Sequence, residues 1–264
     1  MPNAVAPLPR PAVVQLMATC LVDQFFPAVA HAAVDVLERA GVEVRVPDRQ
    51  TCCGQPAFNA GSHADARLMA RHTVDVFGGS GEPVVVPSGS CADMVVHQAP
   101  ALLAGDPEYG PRASALAART FELTDFLVRV LGHTDCGACW RGTATYHPSC
   151  HGLRGLGLTT QPIALLGQVR GLELRPLPEA ETCCGFGGLF AVKMSGISGA
   201  MLARKLDAIE ASGADTVIAT DVSCLMHIAG GLRRRGSRVA ARHVAEVLAA
   251  RAPETENQKT KPAD

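Results

Sequence analysis

Eight of the ten cysteines in this 264-residue chain fall into one pattern that is written twice. The first half carries Cys20, the adjacent pair Cys52-Cys53 inside Thr-Cys-Cys-Gly, and Cys91 inside Ser-Gly-Ser-Cys. The second carries Cys150, Cys183-Cys184 inside another Thr-Cys-Cys-Gly, and Cys224 inside Asp-Val-Ser-Cys. The first step is 32 positions in one half and 33 in the other, and the last is 38 against 40. A chain that repeats itself at one spacing is constrained to build two like units. Matched quartets of thiols point to two soft-metal sites made by duplication.

The size permits one large domain or two smaller ones. With 47% hydrophobic residues, a core forms without a disulfide framework. A net charge of −1 argues against the basic footprint of a nucleic-acid-binding protein. No apolar run approaches the roughly 18 residues of a membrane span. The start, Met1 to Arg10, lacks a charged segment followed by a long apolar one, so no secretory signal is read. A cysteine-rich chain of this kind is expected in the cytoplasm, where thiols bind metal or act catalytically more often than they cross-link.

Strand and helix signals alternate in both halves. Val13–Ala18 reads as a buried strand that delivers Cys20, and Phe25–Ala40 has apolar residues at helical spacing, closed by Gly41. Val42–Val46 reads as a strand leading to Cys52-Cys53. Ser62–Phe77 reads as a helix with Ser62 and Asp65 spaced as a capping box. Pro83–Pro87 is a short strand before Cys91, and Arg112–Leu131 a closing helix. The second half repeats the order: Thr143–His147 before Cys150, a helix opened by Pro162, Leu172–Arg175 before Cys183-Cys184, a helix around Met201–Ala211, and Thr216–Thr220 before Cys224. The closing stretches Phe121–Leu127 and His243–Leu248 correspond as well.

This alternation predicts an α/β protein of two tandem homologous halves, each a mainly parallel sheet with flanking helices and a cysteine site at the strand carboxyl ends. The expected division is a flexible N-terminus at 1–12, a first unit at 13–132, a linker at 133–142, a second unit at 143–252 and a polar, disordered tail at 253–264. Helices begin at the strand ends, where free N–H groups favour an anionic guest. Gly54 and Gly185 are expected to let the backbone approach that guest closely.

Zinc favours thiolates presented as two Cys-x-x-Cys knuckles, and neither quartet contains one. Adjacent cysteines point apart, which is awkward for one small ion but suits the separated attachment points of an iron–sulfur cluster. Iron–sulfur is therefore the leading reading, with structural zinc and thiol or vicinal-disulfide chemistry left open. The ferredoxin run Cys-x2-Cys-x2-Cys-x3-Cys-Pro is absent.

Cys-x31-Cys-Cys-Gly followed by a distant cysteine, twice in one chain, resembles the cysteine-rich CCG domain family, which includes the cysteine-rich subunit of heterodisulfide reductase. Thr-Tyr-His-Pro-Ser-Cys-His (145–151), Cys-Cys-Gly-Phe-Gly-Gly-Leu-Phe-Ala-Val-Lys (183–193) and Asp-Val-Ser-Cys-Leu-Met-His (221–227) are similar, more closely, to the lactate-utilisation protein A family. The resemblance covers most of residues 13–250. It implies an iron–sulfur electron-transfer subunit of a complex that oxidises L-lactate to pyruvate, inactive alone. Two partner subunits are implied, one with ferredoxin-type clusters. The expected content is two [4Fe-4S] clusters, held by Cys20, Cys52, Cys53 and Cys91 and by Cys150, Cys183, Cys184 and Cys224. The heterodisulfide reductase subunit has Cys-x-x-Cys at the third station, where this chain has Met94 and His227. Each site thus keeps four cysteines, which suits a cubane cluster as well as the non-cubane kind. A heterodisulfide reductase-like thiol/disulfide oxidoreductase subunit and a structural zinc-binding protein are the competing functions.

Several residues remain outside the pattern. Cys136 and Cys139 form a Cys-x-x-Cys in the linker with no strand–turn–helix context to activate it, and are read as incidental thiols. His227 is a candidate nitrogen ligand, against a plain helix-face histidine. His147, His151, Arg154 and Lys193 are candidates for binding a carboxylate or offsetting cluster charge. No Gly-x-Gly-x-x-Gly follows a strand, so no dinucleotide or flavin site is read. The run Arg233–Arg235 is a solvated helix end.

Overall fold

The computed structural model describes residues 10–251. The expected tail at 253–264, and residues 1–9 of the expected flexible N-terminus, lie outside the described residues. The first half runs β1 (Val13–Leu16), α1 (Cys20–Phe25), α2 (Pro27–Arg39), β2 (Glu43–Arg45), α3 (Gln55–Asn59), α4 (His63–Phe77), β3 (Val84–Val86) and α5 (Gly89–Asp93). It closes with α6 (Ala99–Leu103), α7 (Tyr109–Ala117), β4 (Thr120–Glu122) and α8 (Leu123–Asp125). The second half runs β5 (Cys139–His147), α9 (Gln161–Leu166), β6 (Arg170–Arg175), α10 (Leu189–Lys193), α11 (Ser195–Ala211), β7 (Thr216–Ala219), α12 (Val222–Arg234), β8 (Ala240–His243) and α13 (Val244–Ala249).

Each half builds a four-stranded sheet, ordered β2-β1-β3-β4 in one and β6-β5-β7-β8 in the other, with every pair parallel. Val14 pairs with Val44 across β1 and β2, as Ala144 pairs with Leu174 across β5 and β6. The two-residue period of the strands sends Val84 and Val86 to one face and Val85 to the other, and all three are buried. The fold is the doubled α/β arrangement that the repeat implied.

The largest apolar cluster draws on both halves. Leu16, Val36 and Leu37 of the first join Ala144, Ile218 and Val247 of the second, with α2 packed against α13. Arg39 on α2 reaches the carbonyls of Cys136 and Leu248, both at 3.1 Å. The outer face of each sheet is covered separately: α4 and α7 enclose Val84 and Val86, and α11 and α12 enclose Val217. Both parallel sheets are thus buried on two faces, as βαβ crossovers require.

Three local expectations are corrected. The closing helix predicted over Arg112–Leu131 is interrupted by β4, which pairs with β3 through Val85 and Phe121. Its three residues are too few to show alternation between apolar neighbours. The segment after Cys91 is helical as far as Leu103 and had no predicted element; a π turn at Met94–Gln98 widens it ahead of Pro100, whose ring and missing N–H would break a regular α register. The Ser62 hydroxyl donates to the Asp65 carboxylate at 2.5 Å, so the pair does not form the reciprocal backbone bonds of a capping box.

Candidate metal centre

Three strand ends assemble each quartet. β1 runs through Thr19 into Cys20, the first residue of α1; β2 leads to Cys52-Cys53 ahead of α3; and β3 leads to Ser88, which caps α5. Cys91 lies in the first turn of α5, its N–H donating to Ser88 Oγ at 3.3 Å. In the second half Cys150 follows β5, Cys183-Cys184 follow β6, and Cys224 lies in the first turn of α12 after β7. The strand order reverses direction between β1 and β3, and again between β5 and β7. These are the crevices where open parallel sheets place their ligands.

Gly54 and Gly185 end the two Cys-Cys-Gly turns at φ 90° and 87°, a left-handed conformation that glycine takes without strain. A Cβ on Gly185 would lie 2.7 Å from the Ser198 carbonyl oxygen, and one on Gly54 would lie 3.1 Å from Met69 Cβ. Their smallness therefore admits the helix packed against each turn, α11 or α4. The Gly185 N–H also donates to Cys183 Sγ at 3.3 Å.

The thiols crowd one another in the same order in both halves. Cys52 takes hydrogen bonds from Cys20 and Cys53, which together with the Gly54 N–H hold it far below the usual thiol range. Cys20 is pushed up by its bond to Cys52 and by burial, and Cys53 by its bonds to Cys52 and Cys91 and by burial. Cys53 and Cys91 sulfurs are 3.4 Å apart. In the second half Cys183 is lowered by bonds from Cys150 and Cys184, while Cys150 and Cys184 are raised. Cys52 and Cys183 are favoured as thiolates by the hydrogen bonds they receive, and four negative sulfurs at this spacing would repel. A cationic centre removes that repulsion, and none of the ten cysteines is tied into a disulfide. The donor set fits a soft metal or an iron–sulfur cluster.

All eight quartet cysteines line a single cavity of about 220 Å³ between the halves. Its walls are locked by contacts from one half to the other. Asp221, 1% exposed, accepts hydrogen bonds from Ser88 Oγ (2.9 Å), Ser90 Oγ (2.8 Å) and Ser90 N–H (2.8 Å). His151 donates to Asp93 at 2.7 Å, and His97 joins the same carboxylate at 2.8 Å. Burial works to raise Asp93, but the two imidazoles outweigh it and hold the carboxyl below its ordinary range.

The remaining candidates separate. His151 lines the cavity, whereas Arg154 binds the Glu181 carbonyl at 2.7 Å and Lys193 is exposed at the end of α10, so the four proposed anion-binding groups do not converge. His147 is completely buried beside Cys184 and Cys224. His227 sits on α12 with its ring against Phe186, 5.8 Å between centroids. Cys136 packs on the shared core away from both quartets, its thiol pushed up to about 11 by burial, and Cys139 opens β5. Lys205 was not anticipated: a fully buried lysine on α11 whose Nζ donates to the carbonyls of Glu179 and Ala180, at 3.0 and 3.1 Å. Nothing marks it in the sequence, since a lysine on an amphipathic helix reads as solvated. Among the described residues no helix is long and apolar enough to cross a membrane.

The cysteine-rich domain family known as CCG matches the chain twice, at residues 14–95 and 144–229, one match per sheet and quartet. The chain is 51% identical over 235 residues to lactate utilization protein A of Shouchella clausii, covering 89% of this chain and 98% of that protein. It is 49% identical over 236 residues to lactate utilization protein A 2 of Bacillus cereus, covering 89% and 97%. A crystal structure of a hypothetical protein from Helicobacter pylori has the same fold, with a TM-score of 0.63 at 12% identity over 92% of this chain, which spans about half (49%) of that longer chain. Paired Cys-Cys-Gly sites on paired parallel sheets, and half-identity along almost the full length, place the chain in the lactate utilization protein A family of CCG cysteine-rich proteins.

Proposed function

We propose that this protein is an iron–sulfur electron-transfer subunit of a complex that oxidises L-lactate to pyruvate. The observation that carries the reading is the convergence of both quartets on one cavity, because two adjacent soft-metal centres form an electron relay more readily than two isolated structural sites. The vicinal pairs favour a centre of several irons over a single zinc ion. Clusters in these positions would supply one-electron transfer. The chain's own residues hold and insulate: Cys20, Cys52, Cys53 and Cys91 bind one centre and Cys150, Cys183, Cys184 and Cys224 the other. Asp221 fixes the distance between the walls that carry them. Lactate oxidation also needs a carrier for two electrons and a proton, and partner subunits are the proposed source, one of them with ferredoxin-type clusters. The relatives' names, which speak of lactate utilization, support this substrate.

Anaerobically purified protein is expected to contain about eight irons and eight acid-labile sulfides if both centres are four-iron clusters. Cys53→Ser and Cys184→Ser should each lose about half of that iron, because the two ligand sets are separate, while Cys136→Ser keeps all of it. Stoichiometric zinc without sulfide overturns the cluster reading. A strain lacking this protein should fail to grow on L-lactate while growing on pyruvate; unimpaired lactate growth, with no second lactate dehydrogenase present, overturns the substrate.

A further inference from the structure

The two sites share their cysteines but not their surroundings. Three positions before the first cysteine of each quartet, the first half has Met17 and the second His147. Three positions after the last cysteine, the first half has Met94 and the second His227. Both methionines are buried in the apolar cluster under the first sheet. The helices behind the quartets differ in the same sense. Gly54 lies against Ala66 and Met69, and Gly185 against Ser198 and Met201, which sets the register between α4 and α11. On that register the buried Lys205 falls where the first half has Thr73.

His147 is the informative member of this set. Its side chain is 0% exposed, and neither ring nitrogen has a hydrogen-bond partner among the described residues. A buried polar group left unpaired is destabilising, and most such groups in folded proteins are paired. The ring is not remote from every partner, however: one of its nitrogens lies within 4.8 Å of the sulfurs of both Cys184 and Cys224. In the first half the thioether of Met17 occupies the equivalent station and carries no N–H.

We propose that His147 turns a ring nitrogen onto the metal centre of the second quartet, and that this contact makes the two centres inequivalent, with the second at the higher reduction potential. The proposal rests on the iron–sulfur reading above. Nitrogen in contact with a cluster, as a hydrogen-bond donor to its sulfurs or in place of a thiolate, removes electron density and raises the potential. Electrons entering at the first centre would then run toward the second.

The test uses Cys53→Ser protein reconstituted anaerobically with iron and sulfide, so that the second centre is read alone, and the same protein carrying His147→Met, the residue of the first half. His147→Met is expected to lower the midpoint potential while iron and sulfide contents stay the same. A hyperfine coupling from ¹⁵N-labelled histidine should be present in the parent and lost in the variant. Metal-free full-length His147→Met should be at least as resistant to urea as metal-free parent, because an unpaired buried imidazole has been removed; a merely structural histidine would give the opposite. An unmoved midpoint without nitrogen coupling overturns the proposal. Absence of iron and sulfide from the parent overturns the cluster reading, and this inference with it.

Discussion

Glu122 ends β4 with a carboxyl that is 1% exposed. Its Oε2 accepts from the N–H groups of Thr124 and Asp125, at 2.7 and 3.2 Å, and from the Thr124 hydroxyl, while Oε1 has no partner among the described residues. Burial pushes this carboxyl up to about 8 against an ordinary 4.5, the hydrogen bonds offsetting only part of the effect. The folded state therefore holds a proton that the unfolded chain releases. Its contribution to stability is fully present below about pH 4.5 and is lost as pH rises through about 8. Glu122→Gln keeps an oxygen for the two N–H donors and cannot ionise. Relative to the parent, it should gain on the order of a few kcal/mol between pH 5 and pH 9, read from urea unfolding at both. Identical pH dependence in the two proteins would show that Glu122 is ionised in the fold. The second half uses His243 at this station, with Nδ1 accepting from the Ala245 N–H at 3.2 Å and Glu246 completing a capping box. The duplicated turn thus keeps a side-chain cap and changes its chemistry.

At the scale of elements, the turns from β3 into α5 and from β7 into α12 face each other and bind directly. Ser88-Gly-Ser-Cys and Asp221-Val-Ser-Cys are equivalent stretches, and the Asp221 carboxylate supplies the acceptor that three donors of Ser88 and Ser90 require. The approach is close: a Cβ on Gly89 would lie 2.9 Å from Ser149 Oγ and 3.1 Å from the Gly152 backbone. Asp221→Ala strands those buried donors, and should cost about 3–5 kcal/mol in guanidinium unfolding of the metal-free protein, with Asp221→Asn losing less. No change in the alanine variant would mean that water satisfies the serines. None of this lock is periodic in sequence, and its partners are 133 positions apart, so pattern reading could not find it. The strands that deliver Cys20, Cys91 and Cys224 were legible because each is a short apolar run ending a few residues before its cysteine, and the one before Cys150 because Thr143–His147 repeats that placement. β4, Thr-Phe-Glu, was not, since neighbouring apolar helices masked it. The quartets themselves were readable from spacing alone, whereas the missing partners of His147 emerge only from packing.

The molecule as a whole is less divisible than its repeat. Each half has its own sheet, quartet and outer core, yet the inner faces of both sheets meet in one apolar cluster. Val36 and Leu37 on α2 and Val247 and Leu248 on α13 are each at most 1% exposed in that cluster. A chain ending at residue 132 would uncover the side of α2 that packs on α13. It would also free Ser88 and Ser90 from Asp221 and leave Arg39 without the carbonyls of Cys136 and Leu248. At about 25 cal/mol per Å², exposing even a few hundred Å² of apolar surface removes several kcal/mol, comparable with the whole stability of a small domain. The truncated half should therefore keep helical far-UV circular dichroism but lose near-UV signal and cooperative unfolding. The full chain should unfold in one transition that coincides by both probes. A truncated half that unfolds cooperatively near the midpoint of the full chain would show that the shared cluster is only a contact between finished domains. Loss of cooperativity would mean that the first unit does not fold independently and owes its cooperative unfolding to the apolar cluster it shares with the second.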